Sequence, residues 1–256
     1  MRVTVLGCGG SSGVPLIGNR WYACDPNNPR NRRRRASVMI ERDGKILLID
    51  TSPDLREQLL DADVSHIDAV LYTHGHADHT HGLDELREIC RLMGRAMPVW
   101  GDAQTLEQLE RRFDYAFRPL EEWAKGFYYR PVLESHIIDG PFVASEVPVV
   151  PFVQNHGWTT SLGFRIDNLA YSTDVLALDE AAFAALEGVE VWLVDCVREE
   201  PHPVHAHLEL VLSWIARLRP RQTVLIHMGP TLDYEALRQH LPPGVEPAYD
   251  GMVIDV

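Results

Sequence analysis

Three histidines and one aspartate crowded into six residues constrain this chain more than any other feature of its sequence. They form the pattern His74-x-His76-x-Asp78-His79 directly after the strand-like run Asp68–Thr73. A loop that leaves a buried strand can point alternate side chains inward, so His74 and His76 can share one metal ion. Asp78 and His79 then turn toward a second position. Imidazole and carboxylate suit Zn²⁺ or Mn²⁺, and Fe²⁺ is also compatible. The alternative, a helix start with solvated histidines, is disfavoured by this pattern.

Two metal ions need more ligands than this pattern supplies, and the sequence offers three further candidates. His156, Asp174 and His227 each stand at the junction between a strand-like run and a loop. A strand-end aspartate considered alone is more often a cap or a turn residue. The order and the placement of the three candidates together favour a shared metal site.

Two β-rich halves with interspersed helical patterns organise the chain. Runs rich in Val, Ile and Leu predict the following strands: Val3–Leu6, Ser37–Glu41, Lys45–Asp50, Asp68–Thr73, Pro141–Val150, Leu162–Asp167, Leu169–Ser172, Val191–Val194, Thr223–Ile226 and Met252–Val256. Apolar residues at helical spacing predict these helices: Leu83–Met93, Leu106–Phe113, Glu180–Leu186, Leu208–Leu218 and Tyr234–Gln239. We therefore expect one α/β (α+β) domain over residues 1–256, with two packed sheets between outer helices in a four-layer αββα sandwich.

The composition argues against several classes of protein. The formal net charge of -13 disfavours a general nucleic-acid or membrane-surface binder, since such proteins are basic. No stretch approaches the roughly 18 uncharged apolar residues of a transmembrane helix. The chain starts directly with a strand-like run, so we expect no signal peptide. Four cysteines are scattered without a CxxC pair, which suits a reducing compartment and predicts a cytoplasmic protein.

A glycine-rich turn over Gly7–Gly13 follows the first strand-like run. It matches the dinucleotide-binding fingerprint poorly, because Ser12 stands where the third glycine belongs and no helix follows. One interpretation is a tight turn. The alternative is a loop whose backbone N–H groups approach a phosphate, with Ser11 and Ser12 as candidate substrate-binding residues.

A local basic run departs from the acidic balance of the chain. Five of the six residues in Arg30–Arg35 are arginines. The run is either a solvated basic loop or a binding site for a second phosphate of a substrate, and the sequence leaves both alternatives open.

These motifs resemble the metallo-β-lactamase superfamily, and the resemblance covers nearly the whole chain. The family implies an αββα fold with a dinuclear metal site at one edge. The resemblance assigns three histidines to the first metal, one aspartate and two histidines to the second, and a bridging aspartate between them: His74, His76 and His156; Asp78, His79 and His227; and Asp174. Asp78 is in addition a candidate catalytic residue. Asp50 matches the family's aspartate that orients a ligand histidine by hydrogen bonding.

The segment His202–Leu208 narrows the branch of the superfamily. It resembles the branch that contains the PhnP-type phosphoribosyl cyclic phosphodiesterases, which is related to tRNase Z. In that branch a histidine at the place of His205 serves the leaving group or the transition-state charge, so His205 is the candidate catalytic residue. His207 is the alternative, and both histidines are candidates for substrate binding. The spacing to His227 favours His205.

Some members of this branch carry an additional structural zinc. Clustered cysteines after the first glycine loop and a histidine just beyond the last metal ligand hold that ion. Here the early segment contains only Cys24, and Met228 and Gly229 follow the last ligand candidate, His227. We therefore expect two divalent metal ions and no structural zinc.

The combined patterns predict a metal-dependent phosphodiesterase. A hydroxide that bridges the two metal ions would attack a small phosphodiester. The acidic net charge favours a cyclic ribose or nucleotide phosphate over tRNA as that substrate. A protonated His205 would donate to the leaving alkoxide. The expected partner is thus the small substrate and neither a membrane nor a nucleic acid, and the sequence is compatible with a homodimer.

Three alternative functions fit the same fold. A tRNA 3′-processing endonuclease would carry a binding arm for its RNA, and no clear one is present. A thioester or lactone hydrolase would not act on phosphodiesters. A non-catalytic nucleotide-binding or biosynthetic-accessory protein would have no need for a complete set of metal ligands, so the intact set favours an enzyme.

Overall fold

Fourteen β-strands and seven α-helices alternate along residues 1–124 and 126–256, the part of the chain that the computed structural model describes. The strands are β1 Arg2–Gly7, β2 Ser37–Arg42, β3 Lys45–Ile49, β4 Ala69–Leu71, β5 Met97–Gly101, β6 Leu133–Ile137, β7 Phe142–Ala144, β8 Val147–His156, β9 Thr159–Ile166, β10 Leu169–Ser172, β11 Val191–Asp195, β12 Gln222–Ile226, β13 Val245–Pro247 and β14 Val253–Asp255. The helices are α1 Leu55–Asp61, α2 Ala77–Thr80, α3 Leu86–Met93, α4 Ala103–Arg112, α5 Glu180–Leu186, α6 Leu208–Leu218 and α7 Tyr234–His240.

The strands form two seven-stranded mixed sheets. The first has the order β14-β1-β2-β3-β4-β5-β6, and the second has the order β13-β12-β11-β10-β9-β8-β7. Strands β3 to β6 are parallel to one another, and so are strands β10 to β13. Because parallel strands end at the same edge of a sheet, the loops that follow them gather along that edge.

Strand β3 shows how the core forms on both faces of the first sheet. Successive side chains of a strand point to opposite faces. Leu47 and Ile49 accordingly join the apolar cluster that contains Phe164 of the second sheet. Ile46 and Leu48 join a separate cluster on the opposite face. Burial on both faces explains why this strand reads as a continuous apolar run.

Helices cover the outer faces of the sheets. Leu55 of α1 and Leu86 of α3 pack into the cluster on the outer face of the first sheet. Phe183 of α5 and Trp214 of α6 pack into the cluster of the second. This arrangement confirms the predicted fold of two sheets flanked by helices. Within the described residues, no helix combines the length and the apolar composition that crossing a bilayer requires.

The predicted strand Pro141–Val150 is wrong, because this segment forms the two strands of a hairpin, β7 and β8. The chain reverses at Ser145 and Glu146, whose φ angles are 47° and 72°. Hairpin turns with two positive φ angles usually contain glycine or asparagine, so this turn carries no sequence signature. The sequence patterns also do not predict α1, α2, β5, β6 and β13. Pro98 lies within β5, and proline normally argues against a strand.

Replacing Phe164 by alanine should lower the free energy of unfolding by about 3–5 kcal/mol, because it leaves a cavity in the core cluster. Phe164 is 1% exposed, whereas Val153 on β8 is 58% exposed. The matched variant Val153→Ala should therefore change stability by less than about 1 kcal/mol. Urea denaturation followed by circular dichroism measures both values, and similar losses in the two variants would contradict this packing.

Candidate metal centre

Polar side chains from the ends of strands in both sheets converge at one edge of the molecule. Strand β4 leads into the loop and the short helix α2 that carry His74–His79. His156 is the last residue of β8. Asp174 follows β10, and His227 follows β12 directly. The structure thus brings together residues that are separated by more than half of the chain in sequence, from His74 to His227.

Three of the strand-end residues adopt a left-handed backbone conformation. The φ angles are 62° at Asp50, 50° at Asp174 and 55° at His227. This region is uncommon for residues with a Cβ atom, although aspartate and histidine are enriched there. The conformation turns each side chain out of the strand direction and toward the cluster. Such backbone strain persists only where surrounding packing fixes it, and it is common at functional sites.

The two oxygens of the Asp174 carboxylate face two different sets of imidazoles. Oδ2 lies 3.7 Å from His74 Nε2 and 3.4 Å from His156 Nε2. Oδ1 lies 3.0 Å from His79 Nε2 and 3.3 Å from His227 Nε2. Two donors that share one Zn²⁺ at about 2.1 Å are roughly 2.9–3.4 Å apart. Asp174 therefore stands between two sets of donors at close to coordination spacing.

Each set of donors is complete as a four-residue group. The ligand atoms within each group lie within 4.8 Å of one another: His74, His76, His156 and Asp174 form the first group, and Asp78, His79, Asp174 and His227 form the second. These are the same two groups that the family resemblance implies. Their donor types suit Zn²⁺ or Mn²⁺.

Unsatisfied polar atoms show that these groups fit metal ions. Four atoms are buried without a hydrogen-bond partner among residues 1–124 and 126–256: Nε2 of His74, His79 and His227, and Oδ2 of Asp78. Buried polar atoms that lack a partner are rare, because each costs free energy. A cation within each group would satisfy these atoms together.

Neighbouring side chains hold the opposite ring nitrogens of the candidate ligands. His79 Nδ1 lies 2.7 Å from Asp50 Oδ2, and His74 Nδ1 lies 3.0 Å from the hydroxyl of Thr73. Thr73 donates to Asp50 through both its backbone N–H and its hydroxyl, each at 2.8 Å. The fully buried Asp50 therefore fixes one ring directly and a second ring through Thr73. This orientation leaves the Nε2 atoms facing the cluster.

Asp195, the last residue of β11, belongs to the site and is missed by the sequence analysis. Its Oδ2 lies 2.8 Å from His205 Nδ1, and its Oδ1 lies 3.6 Å from His227 Nδ1. His205 Nε2 thereby faces Asp174 Oδ2 at 3.9 Å. Asp195 is the last residue of its strand, and Asp50 and Asp174 follow the ends of their strands. This common position at the end of a strand is the signal by which the sequence could have identified Asp195.

The structure separates His205 from His207. His207 caps the start of α6 and forms a backbone bridge with Arg198, outside the donor groups of the described residues. His205 instead packs within the cluster. The carbonyl of Val204 lies 2.8 Å from Nδ1 of His156, so the same segment also orients a candidate ligand.

Charges inside the cluster shift the pKa values in opposite directions. Burial raises the pKa of Asp174, but the imidazoles of His227 and His79 outweigh it and hold that pKa well below its ordinary range. Burial disfavours the charged form of His227, yet nearby carboxylates, Asp174 first among them, raise its pKa to about 10. Burial lowers the pKa of His74 well below 6.5. The second group thus favours positive charge more strongly than the first.

Two cavities flank the cluster. The glycine-turn cavity has a volume of about 240 Å³ and lies beside Ser11, Ser12, His202, His205 and His227. The α4 cavity has a volume of about 250 Å³ and is lined by His74, Gly75, His76, Asp102, Gln104, Thr105, Gln108, Arg112, Thr159 and Thr160. Ser11 and Ser12 therefore share one cavity with His205, while the first donor group borders the other.

The arginine run serves the fold. Arg33 is only 2% exposed and donates to the carbonyls of Gly229 at 3.0 Å and Leu232 at 2.7 Å. Its guanidinium, beside Cys24, ties the early loop to the turn after His227. The other arginines of the run contact aromatic rings or carboxylates: Arg30 with Tyr234 and Tyr249, Arg32 with Trp21, Arg34 with Asp61 and Arg35 with Asp54. Within the described part of the chain, no residue of this run lines either cavity beside the cluster.

Replacing Asp174 by alanine should remove most of the bound zinc or manganese, because each donor group loses one carboxylate oxygen of this shared residue. Inductively coupled plasma mass spectrometry of gel-filtered protein measures the metal content. His207→Ala is the matched control and should keep the metal content of the unmodified protein. Full metal content in Asp174→Ala would contradict a bridging role.

Two solved structures share the fold of this chain. A crystal structure described as a new diphosphatase from the PhnP family has a TM-score of 0.90 and 35% sequence identity, covering 100% of this chain and 97% of that chain. Zinc-bound PqqB from Methylobacterium extorquens shares the fold with a TM-score of 0.76 and 19% identity, covering 100% of both chains. The second likeness extends to the fold alone.

Sequence comparison places the chain in a family. An octanoyltransferase from Porphyromonas gingivalis is 33% identical over 98% of this chain and 51% of its own length. The chain thus spans about half of that relative. Residues 45–228 match the sequence model of the beta-lactamase superfamily domain. The chain therefore belongs to the metallo-β-lactamase superfamily of metal-dependent hydrolases, in its PhnP-like branch.

Proposed function

We propose that the protein is a dinuclear-metal phosphodiesterase that hydrolyses a small phosphodiester, with a cyclic ribose or nucleotide phosphate as the expected class. The observation that carries the proposal is the Asp174 carboxylate, whose two oxygens each face a separate pair of imidazoles at 3.0–3.7 Å. The similarity to a diphosphatase of the PhnP family supports a phosphate-containing substrate.

The proposed metal ions are Zn²⁺ or Mn²⁺, held by the two donor groups that share Asp174. When bound, they would supply Lewis-acid activation of a water molecule and of a phosphoryl oxygen. Asp78 supplies a carboxylate oxygen 3.3 Å from His79 Nε2 and 3.6 Å from His227 Nε2, so it completes the second group. Asp50 holds the ring of His79 in the orientation that this group needs.

His205 is placed to protonate the leaving group. Its Nδ1 bonds to Asp195, so its Nε2 is the nitrogen that faces the cluster. Burial raises the pKa of Asp195, but the His205 imidazole outweighs it and lowers that pKa, which keeps Asp195 ionised. An ionised Asp195 accepts a hydrogen bond from Nδ1 of His205 and so fixes the orientation of the ring.

Charge and size support a small substrate. The net charge of -13 repels a polyanion such as tRNA over most of the surface. The two cavities beside the cluster, about 240 and 250 Å³, suit the two halves of a small ester.

The four cysteines are all buried and free, which supports a reducing compartment such as the cytoplasm.

The zinc- or manganese-loaded protein should hydrolyse bis(p-nitrophenyl) phosphate and members of a panel of 2′,3′-cyclic nucleotides. Asp174→Ala should abolish turnover because it removes the shared ligand. Release of p-nitrophenolate and chromatography of the nucleotide products measure the rates. If the fully metal-loaded protein hydrolyses no phosphodiester, the proposed substrate class is wrong. That result would favour a thioester hydrolase or an accessory protein.

His205→Ala should keep its metal ions and lose more activity on cyclic nucleotides than on bis(p-nitrophenyl) phosphate. A ribose alkoxide is a poor leaving group that needs a proton, whereas p-nitrophenolate leaves without one. We expect a loss of about 10²–10⁴-fold on the cyclic nucleotides. Asp195→Asn should show the same dependence on the leaving group to a smaller extent. An equal loss on both substrates in His205→Ala would show that His205 does not act as the acid.

A further inference from the structure

His202 is a histidine beside the cluster that has no part in the proposed mechanism so far. It lines the glycine-turn cavity together with His205, and the centroids of the two imidazole rings are 5.0 Å apart. The rings are inclined by 50°, so they lie next to each other without stacking face to face. A substrate oxygen that takes a proton from His205 in this cavity therefore has its neighbouring atoms within reach of His202.

A hydrogen bond to the backbone fixes which ring nitrogen of His202 carries the proton. Nδ1 accepts the backbone N–H of Val204 at 3.3 Å, so the proton of the neutral ring lies on Nε2. Burial, followed by the charges of His205 and Arg198, lowers the pKa of His202 below its ordinary value, which favours the neutral ring. Within residues 1–124 and 126–256, Nε2 of His202 has no hydrogen-bond partner. The ring thus offers one N–H donor to a ligand.

The segment that carries His202 is held in a fixed position. Pro201 and Pro203 flank the histidine and restrict the backbone on both sides of it. Val204 donates its N–H to His202, and its carbonyl lies 2.8 Å from Nδ1 of the candidate ligand His156. The peptide groups of one residue therefore orient both rings, so the place of the His202 donor relative to the first donor group is set by direct contacts.

The lining of the glycine-turn cavity suits an uncharged group. None of the described residues that line it is a lysine, an arginine, an aspartate or a glutamate. Its polar side chains other than the imidazoles are the hydroxyls of Ser11 and Ser12. A neutral N–H donor beside hydroxyls matches the oxygen of a sugar hydroxyl, whereas an anionic group is bound best by charged donors. The leaving half of the substrate in this cavity is therefore expected to be a polyol.

We propose that His202 is a specificity-determining residue whose Nε2–H donates a hydrogen bond to a hydroxyl oxygen on the carbon next to the leaving oxygen of the substrate. His205 would protonate the leaving oxygen while His202 binds its neighbour, so the two histidines together would recognise a vicinal diol. This inference rests on the proposed phosphodiesterase function and deepens it, because it names the class of leaving group.

Two cyclic nucleotides that differ by one hydroxyl test this preference. When the 3′ ester bond of adenosine 3′,5′-cyclic phosphate breaks, the leaving 3′ oxygen has the 2′-hydroxyl beside it, and the 2′-deoxy compound lacks that hydroxyl. The zinc-loaded protein should show a kcat/KM about 3- to 10-fold higher for the ribose compound, the effect of one neutral hydrogen bond. Chromatography measures the 5′-nucleotide products. Formation of 3′-nucleotides instead would mean that the departing oxygen has no adjacent hydroxyl, and would overturn the proposal.

His202→Phe should bring this ratio close to one, and His202→Gln, whose amide is also a donor, should retain part of it. His202→Phe should also lose less activity on bis(p-nitrophenyl) phosphate than on the ribose compound, because p-nitrophenolate carries no vicinal hydroxyl. A general disturbance of the site would lower both activities alike. An unchanged ratio in His202→Phe, or no preference in the unmodified protein, would overturn the proposal.

His240→Phe is the matched control. Nδ1 of His240 also bonds to the backbone of its own segment, at 2.7 Å from the carbonyl of Ala236, but this residue lines neither cavity beside the cluster. The control should keep the ratio of the unmodified protein. Metal content is measured in each variant, so that a loss of metal ions is separated from a loss of the contact.

Failure of the proposed function has a different outcome. If the two cyclic nucleotides are not hydrolysed, calorimetry measures the Kd of each intact compound, and the panel of 2′,3′-cyclic nucleotides reports separately on the proposed function. Tighter binding of the ribose compound that disappears in His202→Phe but persists in His240→Phe would support the His202 contact on its own. Equal Kd values, or no binding of either compound, would overturn it.

Discussion

The arrangement of the site depends on one buried ionised carboxylate. Asp174 is 1% exposed, and an isolated carboxylate at such a position would cost several kcal/mol. Imidazoles on both sides of the carboxylate offset this cost, which is why its pKa stays well below the ordinary range despite burial. The same geometry leaves the Nε2 atoms of His74, His79 and His227 without a hydrogen-bond partner among the residues that the structure describes. Cations bound between these imidazoles and carboxylates would supply the partners that the buried Nε2 atoms lack.

The fold places these groups by ending strands of both sheets at one edge. Asp50, Asp174 and Asp195 each stand at the end of a strand, but they play different parts in the cluster. Asp174 faces the Nε2 atoms, whereas Asp50 and Asp195 bond to the Nδ1 atoms of His79 and His205. Carboxylates therefore contact the imidazoles on both ring nitrogens. His79 and His205 are thus each oriented by a carboxylate at Nδ1, on the side of the ring away from the cluster.

The sequence predicted the site residues that are recognised by their local spacing. It left open those whose role depends on where the side chain points in the folded structure. The pattern from His74 to His79 was readable because all its members leave a single strand. The choice between His205 and His207 was not, since two residues so close in sequence differ only in the way they point. Asp195 was missed because a strand-end aspartate more often serves as a cap. The hairpin at Ser145 escaped prediction because its turn lacks glycine and asparagine.

Charge counting gave the least reliable guide to substrate binding. The five arginines of Arg30–Arg35 appeared as the basic feature of the chain, yet Arg33 is buried against main-chain carbonyls and its neighbours contact rings and carboxylates. Arg112, which directly follows Arg111 in α4, lines the cavity beside the candidate ligands His74 and His76. A negatively charged substrate that approaches an acidic protein responds to the local electrostatic field at the site. A cleft strengthens this field because its walls have a low dielectric constant. The charged groups that line the two cavities beside the cluster therefore bear more directly on substrate binding than the net charge of the whole chain does.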